Sequence, residues 1–257
     1  MGFQKKLTGV SVQLSRQQPC ETCPFRSLKV FRDFTDKELE FVSGFKNGEL
    51  IAEAGATLLL EGAMSPHIFT VLSGWGFRYK VLPDGRRQVL NFVMPGDIVG
   101  LQGSMLGEMQ HSVEALSGML LCVFERSCLW ELFSKHPGLA FDVTWLSARE
   151  EQILDEHLLS VGRRTALERL AYLLLHIYTR ADALGLVKAN RMAFPFTQQL
   201  LADTLGLSLV HTNKTLRRLC ERKLVRWKGR QFELLDQDAL AEVAAYEPTE
   251  TRLRPFI

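Results

Sequence analysis

The sequence predicts an α+β protein: an N-terminal antiparallel β-barrel, one long helix, and a C-terminal winged helix-turn-helix. Three observations carry that expectation. Between Val42 and Phe124 short apolar runs alternate with near-evenly spaced glycines, Gly62, Gly74, Gly85 and Gly96. From Leu139 to Val161 the apolar residues recur at helical spacing. From Thr197 to Leu235 two short amphipathic stretches, a glycine turn and a basic hairpin follow one another. The expected divisions are a cysteine-containing segment over 1–30, the barrel over 31–138, the long helix over 139–162 and the winged domain over 163–257.

Each element has a local reason. His67–Leu72 and Trp75–Leu82 are rich in β-branched and aromatic residues, as strands are. Pro83-Asp84-Gly85 and Pro95-Gly96-Asp97 are turn tripeptides, in which Pro fixes φ and Gly accepts the left-handed region. Many short strands at even spacing indicate a sandwich or barrel. In the long helix Leu139, Val143, Leu146 and Ile153 form one stripe, with Leu154, Leu158 and Val161 beside it and Gly162 as the expected stop. Such a stripe serves equally as an internal packing face or as a two-chain seam. A second helix follows from Arg164 to about Ala183, and Phe194-Pro195-Phe196 forms an extended link. Thr197 then caps Gln198–Thr204, Gly206 makes the turn, and Ser208 caps a helix running to about Arg222. Leu224–Trp227 and Gln231–Leu235 read as a hairpin whose Lys228-Gly229-Arg230 tip forms a wing.

Composition narrows the function. A chain of 257 residues with 46 % apolar and 23 % charged residues is globular, and its length favours two units. No apolar run approaches the roughly 18 residues that span a bilayer, and Met1–Gln18 lacks an export signal's apolar core. A cytoplasmic location without a membrane partner is therefore expected. Five cysteines, an odd number in such a chain, are free thiols or ligands rather than a disulfide framework. The overall charge is only +2, but residues 197–235 hold eight bases against three acids, leaving the remainder acidic. One basic region on an acidic protein is the footprint of nucleic-acid binding.

The run from Thr197 to Leu219, TQQLLADTLGLSLVHTNKTLRRL, resembles the winged helix of the Crp/Fnr transcription regulators. The glycine-punctuated strands with Gly74 and Pro95-Gly96-Asp97 resemble their sensor domain, a jelly-roll of the cyclic-nucleotide-binding kind. The resemblance spans about Cys20 to Leu240 in the family's order. It implies a homodimer paired along the long helix through Leu139, Val143, Leu146 and Ile153. It also implies a palindromic double-stranded DNA operator and RNA polymerase as a partner. Ser208, Leu209, Val210, His211, Asn213, Lys214, Arg217 and Arg218, with Lys228 and Arg230 of the wing, become the candidate DNA contacts. Asn213 has the chemistry to pair with adenine, Lys214 to donate to guanine and Val210 to touch a thymine methyl. His211, Arg217, Arg218 and the wing bases suit phosphate. Well-known members carry Glu at the position of Val210 and Arg at that of Lys214, so their operator does not transfer.

The resemblance offers two sensor chemistries. Cyclic-nucleotide binding needs a Glu for the ribose and an Arg for the phosphate. Here Leu101 and His111 stand at those positions, and Glu108 is a candidate substitute for the carboxylate. The oxygen-sensing branch instead holds an iron–sulfur cluster. Cys20, Cys23 and Cys122 match its ligands by position, while Lys29 replaces a further cysteine. A fourth ligand would come from Cys128, Glu21, Asp33 or a small molecule. A redox dithiol, a zinc pair and plain core thiols are the other readings of the same three residues. Cys220 reads as a core residue, and His67 and His157 as isolated histidines. No paired His-x-His and no nucleophile–base pair is present, so an enzyme is not expected. The expected function is a dimeric DNA-binding regulator responding to a redox, gas or small-molecule signal. The alternatives are a ligand- or thiol-responsive regulator without a cluster and a cyclic-nucleotide-type sensor working through a protein partner.

Overall fold

The computed structural model describes residues 10–13, 18–247 and 253–256. The expectation about a leader in Met1–Gln18 therefore falls largely outside the described residues. The chain begins with β1 (Val10–Gln13) and two single 3-10 turns, Cys20–Thr22 and Pro24–Ser27. Next come α1 (Asp36–Phe45), β2 (Lys46–Ala52), β3 (Thr57–Leu59), β4 (His67–Ser73), β5 (Gly76–Val81), β6 (Arg87–Val93) and β7 (Ile98–Val99). Then follow α2 (Leu101–Leu106), β8 (Ser112–Ala115), β9 (Met119–Glu125), α3 (Leu129–Lys135), α4 (Pro137–Arg163) and α5 (Ala166–Ala183). The last part contains β10 (Arg191–Ala193), α6 (Gln198–Leu205), α7 (Leu209–Glu221), β11 (Val225–Lys228), β12 (Gln231–Leu234) and α8 (Gln237–Ala244).

The N-terminal half is a pair of antiparallel sheets, ordered β1-β2-β9-β4-β7 and β3-β8-β5-β6. Both contribute to one apolar filling, with Leu50, Val71 and Leu121 from the first and Leu58, Val93 and Val113 from the second. The expected jelly-roll layout is present, and among the described residues no hydrogen-bonded ladder joins the two sheets. Edge strands of two and three residues, β7 and β3, are too short to carry a closing ladder. Gly74 is required where it stands: its φ is +90° and a Cβ would lie 2.2 Å from the carbonyl oxygen of Gly118.

Helix α4 has 27 residues and is longer at both ends than the sequence suggests. Pro137 supplies a preset φ in its first turn, and Gly162 stays helical. The helix stops at Arg164, which is extended, because Thr165 starts α5 with a reciprocal capping box to Glu168. The stripe Leu139, Val143, Leu146 and Ile153 is buried within its own chain. These four side chains are thus not free to meet a second copy, which corrects the expectation of a seam there. The opposite row, Phe141, Thr144, Ala148, Glu151, Asp155, Leu158 and Gly162, is exposed throughout.

Four charged links tie the halves together. Arg32 binds Asp142 of α4, and Arg78 of β5 binds Glu150 of α4. Arg180 of α5 reaches Asp97 at 2.7 Å, joined there by Arg254 of the C-terminal tail. Arg87 of β6 reaches Asp203 of α6 at 2.8 Å. Among the described residues no helix is long and apolar enough to cross a membrane.

Candidate nucleic-acid interface

The helix-turn-helix is built by its caps. Thr197 accepts a hydrogen bond from the Leu200 amide to start α6, and Gly206 ends it at φ +64°. Ser208 then accepts from the His211 amide to start α7. Thr212, Thr215, Leu216 and Leu219 face the core, which leaves Leu209, Val210, His211, Lys214, Arg217 and Arg218 outward. Ser208 is exposed, with its hydroxyl oxygen engaged in the cap. Asn213 departs from expectation. It is half-buried, and its Oδ1 is enclosed without a hydrogen-bond partner. Lys214, next in sequence, is exposed.

The wing forms as β11 pairs with β12 through Lys228↔Gln231, and β10 adds a third strand that the sequence reading did not anticipate. Gly229 takes φ +60° at the tip, and Trp227 Nε1 donates to its carbonyl at 2.9 Å. Trp227 also meets Phe194 edge-on at 5.0 Å, anchoring the hairpin to the core. Lys228 and Arg230 flank the tip, exposed. Several nearby bases are already paired: Arg217 with Glu221, while Arg191 and Arg226 share the one carboxylate of Glu233. Lys214, Arg218, Arg222, Lys223, Lys228 and Arg230 have no carboxylate partner among the described residues. They form one uncompensated cationic surface over α7 and the wing.

The two positions at which the resemblance places cyclic-nucleotide contacts carry neither a carboxylate nor a guanidinium. Leu101 opens α2 with no carboxylate, and Glu108 is exposed. His111 is buried, and its Nε2 accepts a hydrogen bond from Arg78 Nε at 3.0 Å. Burial and the neighbouring Arg78 and Lys80 push its pKa down to about 3, so it is neutral and cannot clamp a phosphate. The space between the sheets is filled by apolar side chains, Phe69, Met109 and Met119 among them.

The three cysteines singled out by position do come together. Cys20, Cys23 and Cys122 line one cavity of about 20 Å³, walled by Phe25, Phe34, Phe124 and Phe256. Burial pushes the Cys122 thiol up to about 12 and also raises Cys23, so both are protonated at neutral pH. Beside them lies an ion pair the sequence did not flag, Lys46–Glu49 at 2.7 Å, each side chain 2 % exposed. Lys46 Nζ also donates to the Gln18 carbonyl at 2.6 Å, fixing the chain just before Cys20. Lys29 is exposed, and Cys128 does not line the cavity. Among the described residues no group of three or more His, Cys, Asp or Glu is arranged to hold a metal ion.

Comparison with known proteins agrees with this architecture. Residues 28–136 match the Cyclic nucleotide-binding domain and residues 168–243 the Crp-like helix-turn-helix domain. The chain is 33 % identical over 179 residues to the nitrogen fixation regulation protein FixK of Azorhizobium caulinodans, covering 69 % of this chain and 71 % of that one. It is 29 % identical to the transcriptional activator protein FnrL of Cereibacter sphaeroides, covering 84 % and 87 % of the two chains. The solved structure of FixK2 from Bradyrhizobium japonicum superposes with a TM-score of 0.70 at 28 % identity, over 78 % of this chain and 98 % of that one. By their names FnrL is an activator of transcription and FixK a regulator of nitrogen fixation. With paired sensor sheets, a long helix and a winged helix in one order, the chain belongs to the Crp/Fnr family of DNA-binding transcription regulators.

Proposed function

We propose that the chain acts in the cytoplasm as a homodimer that reads a two-fold operator, with two copies of α7 in adjacent major grooves. The observation that carries this reading is the uncompensated cationic face of α7 and the wing. Lys214 and Val210 read base edges there, while Arg218, Lys228 and Arg230 fix register on phosphate. Half-sites lie about one helical turn apart, and RNA polymerase is the downstream partner. The second copy docks on the exposed row of α4, whose 3-4 spacing from Phe141 to Gly162 is that of a two-helix seam. Phe141 and Leu158, 68 % and 71 % exposed, are its apolar anchors.

An iron–sulfur cluster is not part of this reading. The cavity shared by Cys20, Cys23 and Cys122 has the volume of about one water, and its thiols are three where clusters take four. Lys29 cannot donate in place of the missing cysteine. The residues in this arrangement do not fit the group, and the signal is taken to be a small molecule.

The test is selection of bound fragments from random duplex DNA, followed by fluorescence anisotropy on the selected sequence. A palindromic site, bound with a stoichiometry of two chains and a steep salt dependence, is expected. Equal affinity for all duplexes would overturn sequence reading, and binding by a single chain would overturn the dimer.

A further inference from the structure

Where β6, α4, α5 and α6 meet, the protein has a solvent-open cavity of about 320 Å³ that belongs neither to the DNA-binding face nor to the space between the sensor sheets. Its volume is at the low end of small-molecule sites. Four arginines line it, Arg149, Arg164, Arg169 and Arg180, against the carboxylates of Glu156 and Glu247. Two of these arginines are already satisfied by acids: Arg164 pairs with Glu156 at 3.3 Å and Arg180 with Asp97 at 2.7 Å. Arg169 is spent on the carbonyls of Arg164 and Leu205. Arg149 is different. Its one hydrogen-bond partner among the described residues is the neutral Gln152, at 2.6 Å. Burial, together with the nearby Arg180 and Arg254, pulls its pKa below the ordinary arginine value. A guanidinium so placed lacks an anion.

A second lining group is also unsatisfied. His176 Nε2 is enclosed without a hydrogen-bond partner, although its ring lines the cavity. Its ring stacks parallel to Tyr172 at 6.0 Å, and Arg164 covers Tyr172 at 4.1 Å. Two parallel rings, Tyr172 and His176, therefore line the same cavity as the unpaired Arg149.

We propose that this junction cavity is a binding site for a small aromatic anion, a carboxylate or a phosphate ester, whose charge sits on Arg149 and whose ring lies along Tyr172 and His176. The occupant touches the sensor at Phe92, the long helix at Arg149 and the helix-turn-helix at Leu205. Its binding thus bears on how the DNA-reading domain is held against the sensor. That effector role rests on the reading of the chain as a DNA-binding regulator; the binding itself does not.

The test uses the full chain and isothermal titration calorimetry with salicylate and phenyl phosphate as probes and benzyl alcohol as the uncharged control. Saturable one-site binding of at least one anion, and none of the alcohol, is expected. Arg149→Gln leaves no carboxylate orphaned, so it should keep the wild-type melting temperature while weakening the anion about ten-fold, the loss of one charge-assisted contact. Arg149→Lys should restore part of it, and Arg86→Gln, on an exposed turn, should change nothing. Binding by neither anion, or undiminished binding to a folded Arg149→Gln, overturns the site. DNA anisotropy on the same samples, with and without salicylate, reads the regulator independently. DNA binding that persists without any anion binding would sink the cavity proposal alone.

Discussion

Arg87, on the sensor hairpin, holds one carboxylate oxygen of Asp203, on the first helix of the helix-turn-helix, through hydrogen bonds of 3.0 and 2.8 Å. Gln88 adds a bond from Nε2 to the Thr204 carbonyl at 3.0 Å. The DNA-reading domain is thus latched to the sensor through α6 rather than through α7. Both charged side chains are partly solvated, so a double-mutant cycle of Arg87→Ala and Asp203→Ala should return a coupling of about 1 kcal/mol or less in urea unfolding. Arg87→Ala should shift operator affinity without changing its salt slope, because Arg87 neutralises no phosphate in this arrangement. A changed slope would mean that Arg87 contacts DNA.

The recognition helix separates two kinds of base. Lys214→Ala should cost about 1–3 kcal/mol on the selected operator and relax preference at one position. Arg218→Ala should weaken all duplexes alike and lower the salt slope by about one. Asn213→Ala should do little to specificity, since the residue is half-buried and its Oδ1 is enclosed. Anisotropy on single-base operator variants distinguishes these outcomes. A specificity loss in Asn213→Ala would show that its carboxamide swings outward on binding.

Much of the winged domain was legible in the sequence because its signals are local. Thr197, Gly206 and Ser208 each act on the backbone within four residues, and each caps the element expected of it. The face of α4 was not legible. Leu139 and Phe141 are both apolar, and only the sensor packing against one of them decides which turns inward. The C-terminal tail was equally hidden. Phe256 joins Phe25, Phe31 and Phe34 in an aromatic cluster over the thiol cavity, contacts separated by more than two hundred residues of chain. The junction cavity draws its arginines from α4, α5 and the link between them, and their spacing on the chain carries no motif. Cys20, Cys23 and Cys122 were brought together as their positions implied, yet their surroundings, Lys46 and Glu49 above all, could be read only in three dimensions.

The seam on α4 can be tested by charge. Leu158→Lys places two ammonium groups face to face at the outer row and should shift the chain toward monomer in sedimentation velocity, with operator binding lost in parallel. Leu146→Ala acts from the inner row instead. It should destabilise the fold by about 2–5 kcal/mol through a cavity, leaving dimerisation of the folded chain intact. A dimer unaffected by Leu158→Lys would place the partner elsewhere.

Acid should undo the sensor through its buried histidine. His111 is 4 % exposed and its pKa falls to about 3 in the folded chain, from an ordinary value near 6.5. The unfolded chain therefore binds the proton first. The stability that neutral His111 contributes is complete above pH 6.5 and is lost as pH falls toward 3, by about 1.4 kcal/mol per pH unit. His111→Gln retains an acceptor for Arg78 and removes the titration, so its unfolding free energy should fall less steeply between pH 6 and pH 4. Identical slopes for the two proteins would mean that His111 is not held neutral.

The thiols offer the last discrimination, because a cluster and a sealed core predict opposite chemistry. A thiolate destined for iron is deprotonated and reachable, whereas Cys122 is buried with its pKa raised to about 12, behind Phe124 and Phe256. Titration of the native protein with a chromogenic disulfide should modify Cys122 last, at a rate set by opening of the surrounding structure and independent of reagent concentration once opening limits. Half-buried Cys128 and Cys220 should react earlier. Phe256→Ala unseals one wall of the cavity and should speed Cys122 while leaving Cys220 unchanged. Protein purified without oxygen should be colourless, and Cys122→Ser should keep its operator affinity. Stoichiometric iron and acid-labile sulfide, lost together in Cys122→Ser, would instead mean that the three thiols open to admit a cluster.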